Sequence, residues 1–177
     1  MYLSGGDQVN LRARIDAKQL DSLRNLVRGG AILIGSSAGT AVMPEEMITD
    51  GDSATLKHAR GFGLVPWAVL DTHVGERHRE TRDVTAFFDI GKGRRPVIGL
   101  DENTAIIFSW DHVRLIGKVA GAGTVHIFMQ PGSSLPDTSR AVTPKSVETD
   151  DGTHRKADMW DLRKGDTFTV PNVRRAK

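Results

Sequence analysis

Two short runs without a charged or polar side chain, 31–35 (AILIG) and 96–100 (PVIGL), constrain the fold of this chain more than any other feature. A strand that is apolar at every position, and not only at every second one, must be buried on both faces. Sheets that achieve this are typically parallel and covered by helices. The first run is preceded by a helix over 16–28, with Asp16 as its cap, Leu20, Leu23 and Val27 at helical spacing, and Gly29-Gly30 as its stop. A second helix is expected after Ser37, ending near Met47 and Ile48. A polar, acidic loop over 49–57, a turn at Gly61-Phe62-Gly63, a strand over 67–71 and a helix over 75–88 follow. The pattern changes after residue 103. Residues 104–109, 112–118 and 124–129 are short β-like runs joined by tight turns, the mark of antiparallel structure. Residues 132–155 are rich in Ser, Thr, Pro and Asp and read as a mobile loop; 160–170 return as a strand pair, and 174–177 are basic. The expectation is an α/β fold, a mostly parallel sheet with flanking helices and an antiparallel β-rich C-terminal end. It divides into 1–118 and 119–177 within one domain.

Composition removes several classes of function. The chain has 177 residues, long enough to bury a core, and no cysteine, so disulfides, thiolate metal sites and thiol nucleophiles are absent. Lys and Arg number 24 against 22 Asp and Glu, a formal charge of +2, which argues against a dedicated nucleic-acid binder. No run approaches a membrane span, and residues 1–10 lack a basic-then-apolar leader, so a cytoplasmic location is expected.

The sharpest local motif is Gly35-Ser36-Ser37-Ala38-Gly39, a G-x-S-x-G between an apolar strand and a helix. In that setting the glycines permit an abrupt elbow that exposes Ser37 and aims the Ala38 N–H at a developing oxyanion. The same residues also suit a plain Gly/Ser-rich turn. A serine hydroxyl needs a base, and of six histidines His73 stands out, just past the C-terminal end of a predicted parallel strand, where open α/β sheets place ligands. His112 and His126 fall within β-runs and read as ordinary strand residues, His58 and His154 as solvated. After His73 come Arg77, Arg79 and Arg82, either a solvated face or an anion clamp beside the base. Asp71, His73, Glu76 and His78 also offer metal-ligand types, and a later strand end adds Asp101-Glu102-Asn103, but no downstream G-N-H or G-H supplies the further ligands such sites need.

Taken together and in order, these pieces resemble the cyanophycinase and aspartyl-dipeptidase (dipeptidase E) family of serine peptidases. The matching segments are Gly5-Gly6-Asp7-Gln8, the 35–39 elbow, Gly61-Phe62-Gly63-Leu64, and Asp71-Thr72-His73 with the arginine run to Arg82. Gly99 to Ala105 and the closing Gly165-Asp166-Thr167-Phe168 complete the series. The resemblance spans nearly the whole chain. It implies a class I glutamine amidotransferase-like, flavodoxin-like three-layer fold with Ser37 as nucleophile and His73 as general base and acid. Ala38 and Gly6 N–H groups would form the oxyanion hole, and Gln8, Asp71, Arg77, Arg79, Arg82 and Asn103 the substrate pocket. The family's acid lies in the loop after the nucleophile helix, which points to Asp52, with Asp50 as fallback. The implied partner is a peptide with aspartyl carboxylates, cut at β-aspartyl-arginine type bonds. No metal, cofactor, nucleic acid or membrane is expected, and a homodimer is compatible with the reading.

Two departures from the family pattern matter. Where cyanophycinases read D-Q-H-F this chain has Asp71-Thr72-His73-Val74, and threonine cannot reach or bond as glutamine does. Family members also carry βαβ units ahead of the G-G-D-Q turn, where this sequence shows only Met1 to Leu3, so those units are expected to be missing and a sheet edge unpaired. The alternative function is therefore a non-catalytic remnant that binds a ligand or partner. Ser37 and His73 within hydrogen-bond reach would favour the enzyme.

Overall fold

The computed structural model describes residues 1–174. In chain order the elements are β1 (Tyr2–Leu3), α1 (Gln8–Ala13), α2 (Ala17–Arg28), β2 (Ile34–Gly35), α3 (Ala38–Ala41), β3 (Glu46–Asp50), β4 (Lys57–Arg60) and β5 (Val69–Thr72). They continue with α4 (Glu80–Asp89), β6 (Val97–Leu100), β7 (Thr104–Asp111), β8 (Arg114–Gly121), β9 (Val125–Met129), β10 (Lys145–Glu148), β11 (Lys156–Leu162) and β12 (Thr167–Arg174). The rest of the basic run, 175–177, lies outside the described residues.

A five-stranded sheet in the order β10-β11-β9-β6-β5 forms the centre. Its two faces follow from strand alternation. Val69, Val97, Phe128 and Met159 fall opposite one another in register and pack under α4 with Val84, Phe87 and Ile90. Leu70, Ile98, Ile127, Trp160 and Leu162 point the other way, into a core shared with Leu115, Val119 and Phe168 from the three-stranded sheet β12-β8-β7. Each fully buried Phe or Ile here contributes ~1.5–3 kcal/mol. All of β9 is buried, because both of its faces are covered.

The mixed α/β character and the antiparallel C-terminal end agree with the sequence. The mostly parallel sheet does not. Among the strand pairs of the described residues only β1–β2 and β5–β6 are parallel, and β6–β9, β9–β11, β10–β11 and both pairings of the three-stranded sheet are antiparallel. Unalternating apolar runs require only that both faces be covered. Here a helix and a second sheet cover them, whatever the strand direction.

Three local expectations are corrected as well. The helix after Ser37 ends at Ala41, because Pro44 cannot continue it, and Glu46–Asp50 instead pairs with β4. Residues 74–78 form a turn, with His78 at φ 50°, and α4 starts only at Glu80, with Arg79 at its N-cap. The segment expected as a mobile loop contains β10, paired with β11. The 31–35 run is not buried: only Ile34–Gly35 pairs, with β1, and Ile32 and Ile34 are 76% and 54% exposed. No helix among the described residues is long and apolar enough to cross a membrane.

Candidate active site

Ser37 sits where β2 gives way to α3, at φ 49° and ψ −118°. Backbone of this kind strains a non-glycine residue by ~1–3 kcal/mol and persists only when its surroundings hold it. The two glycines of the pentapeptide supply the room. A Cβ on Gly35 would stand 2.7 Å from the Gly39 carbonyl oxygen, and one on Gly39 2.1 Å from that of Leu3. Ala38 opens α3, and its N–H is among those a helix start leaves without an intrahelical acceptor. Ala38 and Gly6 line the same cavity of about 250 Å³ as Ser37.

His73 follows β5, also in the left-handed region at φ 58°. Its Nε2 lies 2.9 Å from Ser37 Oγ, and its Nδ1 lies 2.9 Å from Glu102 Oε1. A carboxylate can only accept, so Nδ1 carries the proton and Nε2 presents its lone pair to the serine hydroxyl. Glu102 follows β6, the parallel neighbour of β5, and its backbone N–H donates to Glu76 Oε1 at 2.8 Å.

The acid expected from the sequence is elsewhere. Asp52 Oδ1 accepts from Ala54 N, Thr55 N and Thr55 Oγ1 within its own exposed loop, bonds led by the Thr55 hydroxyl that hold its carboxyl below the ordinary range. The fallback, Asp50, pairs with Lys57 at 3.7 Å and lines the cavity, but neither aspartate bonds to His73. The signal for Glu102 was its place: a carboxylate two residues beyond β6, the strand next to the one bearing the histidine.

The other expected pocket residues divide. Gln8, Asp71, Arg77, Arg79 and Arg82 line the cavity, and Asn103 does not. Asn103 sits in an exposed turn at φ 53°, with its carbonyl accepting from Ala122 N. Gln8 donates to the carbonyls of Ile48 and Thr49 at 3.0 and 3.3 Å. Asp71 pairs with Arg82 and, at 3.6 Å, with Arg79, whose guanidinium also donates to Thr72 O. Burial lowers the Arg79 pKa against the pull of Asp71. Arg77 is exposed and has no ion pair among the described residues. With three arginines and two aspartates along its wall, the cavity favours an anionic ligand. Beneath it lies Asp83, fully buried with neither oxygen hydrogen-bonded; burial first, then the charge of Asp71, pushes its pKa well up.

An elbow serine, an imidazole and a carboxylate joined in one hydrogen-bonded series form the arrangement of a serine hydrolase site. The chain belongs to peptidase family S51, whose model matches residues 1–116. It is 34% identical over 136 residues to a cyanophycinase from Geminocystis herdmanii, covering 72% of this chain and 48% of that protein. It is 35% identical over 127 residues to a cyanophycinase from Trichormus variabilis, covering 67% of this chain and 42% of the relative. The chain thus spans about half or less of the length of these curated relatives. A crystal structure of a peptidase from an acI-B1 Actinobacterium superimposes with a TM-score of 0.58 at 18% identity, covering 95% of this chain and 58% of that one, a likeness of fold.

Proposed function

We propose that this chain carries the site of a serine peptidase of the cyanophycinase type, which hydrolyses peptide bonds at aspartate-derived amides. The observation that carries the reading is the continuous series Ser37 Oγ–His73–Glu102, with both links at 2.9 Å. A remnant that only bound a ligand would have no need to hold a strained serine against the lone pair of an imidazole. In the first half-reaction His73 takes the Ser37 proton as Oγ attacks the scissile carbonyl carbon, and Glu102 stabilises the imidazolium. The Ala38 and Gly6 N–H groups meet the oxyanion. His73 then protonates the departing amine, and water, deprotonated by the same imidazole, releases the acid.

Arg77, exposed at the cavity mouth, and Arg79, on its wall, are the guanidinium groups offered to a substrate carboxylate. Arg82 is spent on Asp71 and sets the floor. Thr72, where cyanophycinases carry glutamine, gives this pocket a shape of its own, so an aspartyl dipeptide is as fitting a substrate as the polymer.

The test is hydrolysis of cyanophycin and of aspartyl dipeptides by the wild-type chain and Ser37→Ala. Removing the nucleophile lowers the rate by about 10³-fold or more. Hydrolysis that survives in Ser37→Ala, or a fluorophosphonate probe that labels the folded chain only at another residue, refutes the proposal.

A further inference from the structure

His126 read as an ordinary strand residue in the sequence, yet in the structure it is a buried side chain set between two carboxylates. Its Nδ1 lies 2.9 Å from Asp161 Oδ1 and its Nε2 3.0 Å from Asp101 Oδ1. An imidazole can bond two carboxylates only if both nitrogens carry hydrogen, so this geometry selects the cation. Strand register explains how the groups meet. Asp71, Gly99, His126 and Asp161 are successive cross-strand partners on β5, β6, β9 and β11, and they form one row on the α4 face. The row two residues away is wholly apolar.

Asp101 connects this row to the site. Besides His126, its Oδ1 accepts from Gly75 N at 2.8 Å, and its Oδ2 accepts from Thr124 N at 3.0 Å. Gly75 is two residues beyond His73, and Glu102 is the residue after Asp101. A single carboxylate therefore ties together the two strand ends that carry the imidazole and its acid. Both ends are strained, with His73 at φ 58° and Asn103 at φ 53°, so something must hold them.

We propose that the His126 imidazolium is a positioning residue that, through Asp101, holds His73 and Glu102 in register with Ser37. The inference rests on the triad reading above. Without the cation, Asp101 and Asp161 face each other as two carboxylates with side chains only 15% and 21% exposed, and the Asp101 contact to Gly75 loosens. No other cation stands between them among the described residues. Lys145 reaches Asp161 from β10. On the helix side a Cβ at Gly99 would come within 2.9 Å of Asp83 Oδ2, an acid whose burial, with the charge of Asp71, pushes its pKa well up and disfavours its charged form. Asp71, the remaining charge in the row, is occupied by Arg82 and Arg79. Burial draws the His126 pKa down, but the hydrogen bonds of Asp161 and Asp101 outweigh it and leave the pKa raised.

The experiment compares wild type, His126→Gln and Asp161→Asn, each checked for folding by circular dichroism. Two readouts are used: the His73 Nδ1–H resonance in imidazole-labelled protein, and the rate at which a fluorophosphonate labels Ser37. In wild type the His73 resonance broadens across the same pH interval in which the His126 ring signals report its deprotonation. In His126→Gln it is weak at every pH and labelling slows about tenfold or more, as expected when reacting groups lose alignment. Asp161→Asn, at the far end of the row, moves both readouts in the same direction and carries the test if His126→Gln does not fold. The proposal is overturned if the resonance is indifferent to His126 titration, or if labelling stays within twofold in a folded variant. A wild-type chain that never labels at Ser37 refutes the triad itself, while the resonance still reports on His126.

Discussion

Glu102→Gln separates the carboxylate that bonds to His73 from the one the sequence suggested. Glu102 Oε1 lies 2.9 Å from His73 Nδ1, and its side chain is 51% exposed. Opposite charges centred ~4 Å apart attract by ~1 kcal/mol in water and ~4 kcal/mol at an effective dielectric near 20, and a half-exposed carboxylate falls between. An intermediate ~2 kcal/mol, felt only once His73 becomes an imidazolium, is about thirtyfold in rate. Glutamine adds a second penalty: its amide can donate to Nδ1, which leaves the proton on Nε2 facing Ser37, the wrong tautomer for a base. Together these predict a fall in kcat/KM of about 10²-fold, seen mainly in kcat. Asp52→Asn is the paired control, expected within about twofold, since among the described residues that carboxylate is engaged only with Thr55 and Ala54. Hydrolysis of an aspartyl-arginine dipeptide, followed by release of free amine, measures both. The reasoning is refuted if Glu102→Gln stays within about threefold of wild type while Asp52→Asn falls by ten.

Gly39→Ala would drive a methyl to 2.1 Å from the Leu3 carbonyl oxygen, so α3 must back away from β1. Overpacking against backbone of this kind costs about 3 kcal/mol or more, a drop of roughly 6–12 °C in the thermal midpoint, read by calorimetry. The His126–Asp161 pair sets a pH window for stability. His126 has a folded pKa raised above 6.5, so its contribution is complete below that value and lost as pH rises through the folded one. Asp161, held at about 2 chiefly by its bond to His126, contributes fully above 3.8 and loses this as pH falls toward 2. Urea titrations should show this contribution greatest between about pH 4 and 6.5, and Asp161→Asn should flatten both limbs. Unchanged limbs in that variant would place the pH dependence elsewhere.

That Ser37 and His73 would lie together was more legible than the strand directions, for a physical reason. The elbow at 35–39 needs glycine at both ends, whichever segment passes beside it, so its glycines announce it. Their close approaches to Gly39 and Leu3 are those the motif requires. His73 was found because strand ends are where such side chains collect. Glu102 was within view, two residues past a recognised apolar run, but choosing it over Asp52 required knowing that β6 lies beside β5, a pairing between residues far apart in sequence. Strand direction was hidden for the same reason. Nothing in the buried run of β9 says whether it returns antiparallel to β6, and burial of both faces is equally satisfied either way. His126 was invisible as a bridge because its two carboxylates come from other strands, and only the register aligns them.

That dependence on register bears on how the site is held. Ser37 hangs from the small sheet of β1 and β2, whereas His73 and Glu102 end two strands of the central sheet. Among the described residues no strand pairing joins the two sheets. The joint is α3, a single turn of Ala, Gly, Thr and Ala whose small side chains let it lie against both β1 and β5. Buried Ala38, Gly39 and Ala41 carry too little apolar surface to hold this contact by hydrophobic burial alone. The closeness of the approach must fix it, and an added methyl there would separate the sheets. A stretch of about 1 Å between Ser37 and His73 would break their bond and cost about 10²-fold in rate without touching either residue. On the far side, the Asp101–His126 link holds the His73 end against the same displacement. The serine–histidine distance is therefore set from two directions, by small residues behind the nucleophile and by a buried cation behind the base.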